Sequence, residues 1–476
     1  MIYSKHIFLD QFSPVSIYHK MKKIFPNEVS FLFESVVNND SGNFSFIIIG
    51  AKERIWHKNN KSFYIDESGK SSEVDSNPLA FLKKKYQEID KDIYKKYVQE
   101  LEIGFVDGFI GYIGYEMSKE FEPKLKESMR ELKDGLDIPD FDMIRPKLIL
   151  AYSHKNSKLT LVSSIESFKD EFSNITKELK SNHEFIPIKP AEILSDGEMT
   201  FDKSKFFEMI AKSKEMIKSG DVFQILMANR FRQRAKIDKL SFYRVLRAKN
   251  PSPYLFCLDF DDFTIAGSSP EVMVKSTDRQ ILLRPIAGTR KRGSNKARDK
   301  ELELELLNDE KELAEHIMLV DLGRNDVGRV AKSGTLRVTG LKRVEKYSHV
   351  MHLVSDVEAT LDEQYDMFDL FQATFTAGTM TGAPKIRAME LIAKIEGVKR
   401  SFYSGSIGYF GFDGNLDSTI TIRTALITDD EIILQAGAGV VADSKPELEF
   451  LEVTNKMKAL KSSIEDLSNI DKTSWN

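Results

Sequence analysis

The sequence predicts a large α+β fold, and three observations carry that prediction. Short apolar runs of strand length recur along the chain, separated by turn-forming stretches such as VNNDSGN and HKNSK. Amphipathic helical runs interrupt these strands at irregular intervals, without the strict strand–helix alternation of a parallel sheet. No fixed-period repeat or low-complexity stretch is present. With 476 residues, 41% of them apolar and 30% charged, the chain has the composition of a folded protein with room for two or three domains and a large core.

In chain order, Val29–Val36 and Phe44–Gly50 read as strands. Ile55 to Ile65 reads as a further strand or hairpin, and Lys84–Glu100 as mainly helical. The run from Gly104 to Tyr115, GFVDGFIGYIGY, alternates as a strand whose glycines permit close sheet packing. Leu148–Tyr152 and Leu159–Ser163 read as a hairpin. Prolines and loop formers at 186–202 mark a linker between an N-terminal region, 1–185, and a second domain, 203–464, with 465–476 as a tail. Beyond the linker, Ser204–Ser219 is an amphipathic helix ending at Gly220. Asp221–Arg232 is a strand, and Ser241–Lys249 a helix stopped by Asn250-Pro-Ser-Pro253. Tyr254–Asp259 and Phe263–Ala266 form a β pair, and two more strands follow between 271 and 290. Ala297–Asp321 reads as one long helix, and Met367–Phe371 and Pro384–Ile395 as two more. Ser406–Phe410, Leu416–Leu426 and Glu431–Ala436 read as the last strands, before a helix over Pro446–Ile464.

The net charge is −4, so nothing drives the whole chain toward nucleic acid or an anionic membrane. The longest apolar runs, FSFIIIG and PKLILAY, fall well short of the roughly 18 residues that cross a bilayer. The N-terminus lacks the basic-then-apolar pattern of a secretory signal. Cys257 is the only cysteine, which excludes an intramolecular disulfide and a cysteine-rich metal site. A reducing cytoplasm is the expected setting.

Two acidic pairs stand out. Glu312 with Glu315, and Glu449 with Glu452, are each spaced i,i+3, so within a helix each pair shares a face. If the two helices oppose each other, four carboxylates converge and require a compensating cation or protons. Oxygen-only donors suit Mg2+, although such spacing on its own also describes a solvated helix face. Glu315 precedes the apolar IMLVDLG run, and Glu452 interrupts an apolar face near Leu448, Phe450, Leu451 and Val453. The QAGAGV run at 435–440 reads as a small-residue turn whose N–H groups are able to cradle a carboxylate, and it lacks the GK[ST] ending of a phosphate loop. In the Thr376–Pro384 stretch, Pro384 suits the first turn of the helix that follows. Arg423 lies in a β-branched strand pattern, which marks either an edge strand or a carboxylate partner. Lys456 pairs with Glu452 at i,i+4 or reaches an anionic ligand, and His352 is a lone histidine after a strand-like run.

Taken in order, several motifs resemble the chorismate-utilising enzyme family. They are Ser269-Pro-Glu271, Arg284-Pro-Ile-Ala-Gly-Thr289, the stretch from Ala314 to Asp326, His352-Leu-Val-Ser-Asp-Val357, Gly378-Thr-Met-Thr-Gly-Ala-Pro-Lys385, Gln435-Ala-Gly-Ala-Gly439 and Pro446-Glu-Leu-Glu-Phe-Leu-Glu452. The resemblance implies a layered α/β/β/α sandwich in which the N-terminal region packs against the catalytic region. It implies conversion of chorismate and ammonia to anthranilate, pyruvate and water. It assigns Mg2+ to Glu315 and Glu452 with support from Glu312 and Glu449. Arg423 and Tyr403 would hold the enolpyruvyl carboxylate. The Gly437, Ala438 and Gly439 amides and Lys456 would hold a second carboxylate, with Gly288, Thr289 and Thr379 lining the pocket. Glu271 becomes the general acid for loss of the C4 hydroxyl, with a raised pKa, and His352 an aid to pyruvate elimination. Ala287 stands where aminodeoxychorismate-forming relatives, the alternative reading, carry a nucleophilic lysine. The resemblance further implies a separate glutamine amidotransferase subunit supplying ammonia. It also implies inhibition by tryptophan bound at Glu34, Ser35, Asn250, Pro253, Tyr254 and Leu255, with Asn43 replacing a frequent arginine.

Overall fold

The computed structural model describes residues 1–35, 44–181, 185–260, 262–347 and 350–470. Asn43 lies outside the described residues. Strand alternation explains the architecture. Along Phe31–Leu32 and Ile47–Ile48–Ile49, consecutive side chains enter two different cores, because successive strand residues point to opposite faces. One core takes Phe31, Ile48, Phe109, Phe256 and Ile265, and is closed by the helices Pro78–Gln87 and Met367–Thr374. The other takes Leu32, Ile47, Ile49 and Leu434, and is covered by Pro14–Ile24, Lys203–Lys218, Lys239–Lys249, Lys385–Glu396 and Pro446–Ser468. Antiparallel sheet therefore lies between helical layers.

The N-terminal and catalytic regions share this sheet. Ser30–Glu34 pairs on one side with Phe44–Lys58 and on the other with Tyr254–Asp259. Gly108–Ile113 pairs with Ser406–Gly411, placing Gly111 opposite Gly408. A Cβ on Gly111 would sit 2.1 Å from the Asp142 carbonyl, so the glycine-rich run is what a close strand crossing demands. Residues 186–202, expected as linker, contribute the short strands Glu192–Ile193 and Glu198–Met199, both paired with Gln224–Lys236.

Four elements differ from the sequence expectation for local physical reasons. The strand expected to stop at Gly50 runs on as Phe44–Lys58, because a register shift between Ala51 and Glu53 absorbs the irregularity. The expected helix over 297–321 breaks into Lys296–Asn308 and Glu310–Gly328, since Asp309 turns extended and caps the second helix through the Lys311 and Glu312 N–H groups. The Leu416–Leu426 strand is interrupted: Leu416–Ile420 and Thr424–Ile427 are separate. The QAGAGV run is no turn but the end of the strand Glu431–Val440.

Arg400 is among the largest fully buried side chains and joins several of these elements. Its guanidinium donates to Glu396 Oε1 at 2.6 Å and Oε2 at 2.9 Å, and to the carbonyls of Met380 and Leu226, both at 2.8 Å. Glu396 also accepts the Ala228 N–H at 2.9 Å. Glu116 accepts the N–H groups of Arg400 at 2.7 Å and Ser401 at 2.9 Å. Removing one partner strands a buried charge. Arg400→Met should lower the free energy of unfolding by about 3–5 kcal/mol, read as an earlier midpoint in urea unfolding. An unchanged midpoint would show that the network is dispensable.

Candidate active site

The site is built where the sheet changes partners. Leu416–Ile420 pairs with Ser406–Gly411 and Val272–Thr277, whereas Thr424–Ile427 pairs with Thr264–Ser269 and Glu431–Val440. Arg423 sits in the break with φ 52°, a left-handed conformation that costs a non-glycine residue about 1–3 kcal/mol. Its guanidinium has no hydrogen-bond or ion-pair partner among the described residues. Burial lowers its pKa, while Tyr403, Glu271 and Glu452 pull the other way.

Glu271 faces this arginine. Its backbone carbonyl accepts from the Ile420 N–H at 3.0 Å and the Thr419 hydroxyl at 2.7 Å, which anchors the residue. Thr379 donates its hydroxyl to Glu271 Oε1 at 2.9 Å. Glu271 is 7% exposed. Burial pushes its pKa up to about 7, against the lowering effects of Thr379, Arg423 and Lys456. A carboxyl of that pKa is available both as acid and as base near neutrality.

Gly288 lies at a register shift between Ala287 and Thr289, with φ +62°. A Cβ there would come within 3.0 Å of Leu306 and 3.2 Å of Glu312. His352 Nδ1 lies 3.0 Å from both the Thr289 hydroxyl and the Gly288 carbonyl. A carbonyl only accepts, so the Gly288 contact assigns the proton to Nδ1 and leaves Nε2 as the acceptor. Burial lowers the pKa of His352, and the Gly288 carbonyl opposes that shift, so the ring is neutral at neutral pH.

The acidic pairs border the same cleft. Glu315 Oε1 accepts from Gln224 Nε2 at 2.8 Å and lies 3.8 Å from where a Cβ on Gly439 would stand. Glu312 accepts from Arg290 at 3.2 Å. On the other helix, Glu449 is buried, and Glu452 pairs with Lys456 at 2.6 Å. Burial raises the pKa of Glu312 and of Glu449; Arg290 and Ser444 respectively oppose this, and Glu315 and Glu452 add to it. Among the described residues, the carboxylates do not close into a cluster of three or more ligands. The donors are hard oxygens, and the buried Gln224 Oε1 has no donor among the described residues. That set suits a divalent cation that keeps several waters and binds through few protein ligands. Leu448 and Leu451, expected on an apolar face with Glu452, are instead 58% and 52% exposed. The packed stripe of that helix is Val453, Met457, Leu460, Ile464 and Leu467.

The glycine run forms the far wall. Gly437, Ala438 and Gly439 pair with Ala228, Met227 and Leu226. A Cβ on Gly437 would stand 2.5 Å from Leu226 Cδ2 and 3.1 Å from the Tyr403 hydroxyl, so glycine lets Tyr403 approach the strand. Lys456 donates to the Gly437 carbonyl at 2.8 Å.

A second cavity, of about 210 Å3, lies at the junction of the two regions and is mainly apolar, with an aromatic share that includes Phe33, Phe44, Phe105 and Tyr254. Glu34, Ser35, Pro253, Tyr254 and Leu255 all line it. Glu34 is held by Tyr243 at 2.5 Å and Arg247 at 2.9 Å. Tyr254 donates to Asp417 at 2.8 Å. Asn250 is not in its wall; its side chain donates to Ser268 at 3.3 Å and its carbonyl accepts from the same hydroxyl.

The sequence pattern of the chorismate binding enzymes matches residues 29–462. The chain belongs to that family. It is 40% identical over 477 residues to anthranilate synthase component 1 of Aquifex aeolicus, covering 96% of this chain and 93% of that protein. It is 36% identical to anthranilate synthase component 1 of Acetivibrio thermocellus, covering 98% and 95%. The crystal structure of anthranilate synthase component I from Streptococcus pneumoniae superposes with a TM-score of 0.77 at 31% identity, covering 95% of this chain and 98% of that one. The menaquinone-specific isochorismate synthase MenF of Escherichia coli has the same fold at 18% identity and a TM-score of 0.71.

As a chorismate binding enzyme, the chain holds two further residues that sequence reading passed over. Gln224 positions Glu315 from inside an apolar strand, and Arg290 neutralises Glu312 from beyond the Gly288 bulge. Neither lies in a motif that marks chemistry; each is identified only by what it touches.

The Thr379–Glu271 contact has a testable sign. A hydroxyl donating to the carboxylate favours the charged form. Activity that needs protonated Glu271 is present below its pKa and lost as pH rises through it. Thr379→Val should therefore move the alkaline limb of chorismate consumption upward, by up to ~1 pH unit, at constant free ammonia. A downward shift would contradict the assignment of Glu271 as the acid.

Proposed function

We propose that this chain converts chorismate and ammonia to anthranilate, pyruvate and water, the entry step of tryptophan biosynthesis. The single observation that carries the reading is the half-buried Arg423 guanidinium, unpaired among the described residues, facing the Glu271 carboxyl whose pKa burial pushes up to about 7. It offers an anion anchor beside a proton donor. Arg423 and Tyr403 hold the enolpyruvyl carboxylate, while Lys456 and the Gly437–Gly439 backbone hold the ring carboxylate. Gly288 and Thr289 line the pocket. Thr379 orients Glu271, which gives its proton to the departing C4 hydroxyl. His352, neutral with a free Nε2, accepts or relays a proton during loss of pyruvate. Glu315 and Glu452 would hold Mg2+, with Glu312 and Glu449 behind them. Bound there, the cation supplies charge neutralisation and polarisation at a substrate carboxylate.

Ala287 supports direct addition of ammonia. It occupies the bulge beside Gly288 with a methyl group, so no amine is there to attack the ring, as the aminodeoxychorismate reading would prefer. The ammonia comes from a glutamine amidotransferase subunit. Cys257, the only cysteine, is buried in a strand and its thiol pKa is pushed up by burial, so it is no glutaminase nucleophile. The setting is cytoplasmic; among the described residues no helix is long and apolar enough to cross a membrane. In this reading residues 1–185 are the regulatory region, 203–464 catalyse, and tryptophan occupies the aromatic cavity as a feedback inhibitor.

Purified chain given chorismate, Mg2+ and excess ammonium should release anthranilate and pyruvate in equal amounts, with suppression by tryptophan. Aminodeoxychorismate without pyruvate would overturn the reading. Arg423→Met should raise KM for chorismate by roughly 30-fold or more, the loss of a buried charge pair costing ~2–5 kcal/mol. Glu315→Ala and Glu452→Ala should each nearly abolish Mg2+-dependent turnover without unfolding the chain. Normal turnover in both would remove the cation from these residues.

A further inference from the structure

Two cavities meet behind Glu271. The first is the aromatic cavity of about 210 Å3. The second is small, about 20 Å3, and is bounded by Glu271, Thr379, Gly378 and Asp326. Val272 and Arg284 line both. The partition between a regulatory pocket and the proposed acid is therefore formed in part by these two side chains, each facing both cavities.

The backbone is irregular at this partition. Val272 pairs with Thr419, but the register slips before Val274 pairs with Ser418, so a bulge lies one residue beyond Glu271 and Val272. Bulges of this kind re-aim side chains beside functional sites. Thr419 lines the aromatic cavity, and its hydroxyl holds the Glu271 carbonyl. Val272 opens the strand Val272–Thr277 directly after Glu271, so the two residues share one short stretch of backbone. Arg284 is anchored on the catalytic side, donating to Asp356 Oδ1 at 2.6 Å, four residues from His352 along one strand. It also opens the RPIAGT segment that ends in Gly288 and Thr289.

We propose that Val272 and Arg284 couple the aromatic cavity to Glu271: an occupant presses on this shared wall and moves the carboxyl off the Thr379 hydroxyl. The coupling rests on the reading of the cavity as a tryptophan site. Val272 and Arg284 are positioning residues, since they act through Glu271 and Thr289. The alternative route, a rigid-body shift of the N-terminal region, would bypass them.

The test separates binding from coupling. Calorimetry gives the Kd of tryptophan with and without chorismate and Mg2+, ammonium being absent, and the ratio of the two values is the coupling factor. In Val272→Ala tryptophan should still bind, while the coupling factor falls at least fivefold toward one. The residual rate at saturating tryptophan should rise correspondingly, relative to that variant's own uninhibited rate. Arg284→Lys, which keeps the charge but not the fork, should lose part of the coupling. A coupling factor unchanged in Val272→Ala overturns the proposal, as does loss of coupling by the same amount in a control such as Phe8→Ala, far from both cavities. Absence of tryptophan binding by the unaltered protein overturns the effector reading itself. Binding by the unaltered protein with full coupling in both variants overturns only the shared-wall route.

Discussion

The ion pair of Arg400 with Glu396 is the interaction on which the rest of the site depends. Its guanidinium reaches the carbonyls of Met380 and Leu226, and Glu396 returns a bond to the Ala228 N–H. Those three contacts tie together the turn that presents Thr379, the strand facing the glycine run, and the segment that presents Tyr403. A buried pair of this kind gains little net stability over a well-packed apolar equivalent. What it does supply is direction: five hydrogen-bond donors in a rigid plane fix the relative placement of the backbones it reaches. Glu116 extends the same network to the N-terminal region, so the two regions meet at a hydrogen-bonded seam as well as along shared strands.

Around that hub, the site is assembled from interruptions of regular structure. Arg423 sits in a left-handed break between two strands, Gly288 in a bulge, Val272 beside another, and Asp309 at the joint between two helices. Each interruption lets a side chain or backbone group leave the direction that the sheet or helix would impose. At Gly437 the opposite device operates. There the strand stays regular, and the missing Cβ opens room for the Tyr403 hydroxyl. Strain at Arg423 is sustained because paired strands on either side hold it, which is the usual condition for such conformations at functional sites.

These interruptions also explain which parts of the structure were legible in the sequence. Regular elements with clean periodicity, such as Lys203–Lys218 and Tyr254–Asp259, fall within a residue or so of where periodicity places them. The sequence pattern puts Arg423 inside a strand, because β-branched neighbours on both sides give no local sign of a break; two of the four strands that take part in the partner switch, Thr264–Ser269 and Val272–Thr277, lie over a hundred positions away. QAGAGV reads as a turn, because small residues usually mark turns; the requirement for glycine at 437 comes from Leu226 and Tyr403, which the sequence does not place. Leu448 and Leu451 were read as part of an apolar face, because the window is too short to distinguish the packed stripe from its neighbour. The site residues themselves were legible only through the ordered series of motifs. Gln224 and Arg290 escaped because their chemistry is relational.

The charges of the cleft give a last constraint. Four carboxylates border it, yet the cations are largely committed: Arg290 to Glu305, Asp309 and Glu312, and Lys456 to Glu452 and the Gly437 carbonyl. Among the named site residues only Arg423 is uncommitted, and one guanidinium does not balance a dianionic substrate beside four carboxylates. Chorismate carries two carboxylates at neutral pH, so its entry without a compensating cation would set like charges against one another in a partly desolvated space. A divalent cation held by these glutamates would offset that charge and make the arrangement complementary to the substrate. Protonated Glu271 then contributes no opposing charge at the other end of the substrate. In the proposed reaction the raised pKa of Glu271 would serve binding as well as catalysis, since a carboxyl proposed to give up a proton later would also have to be neutral when the dianion arrives.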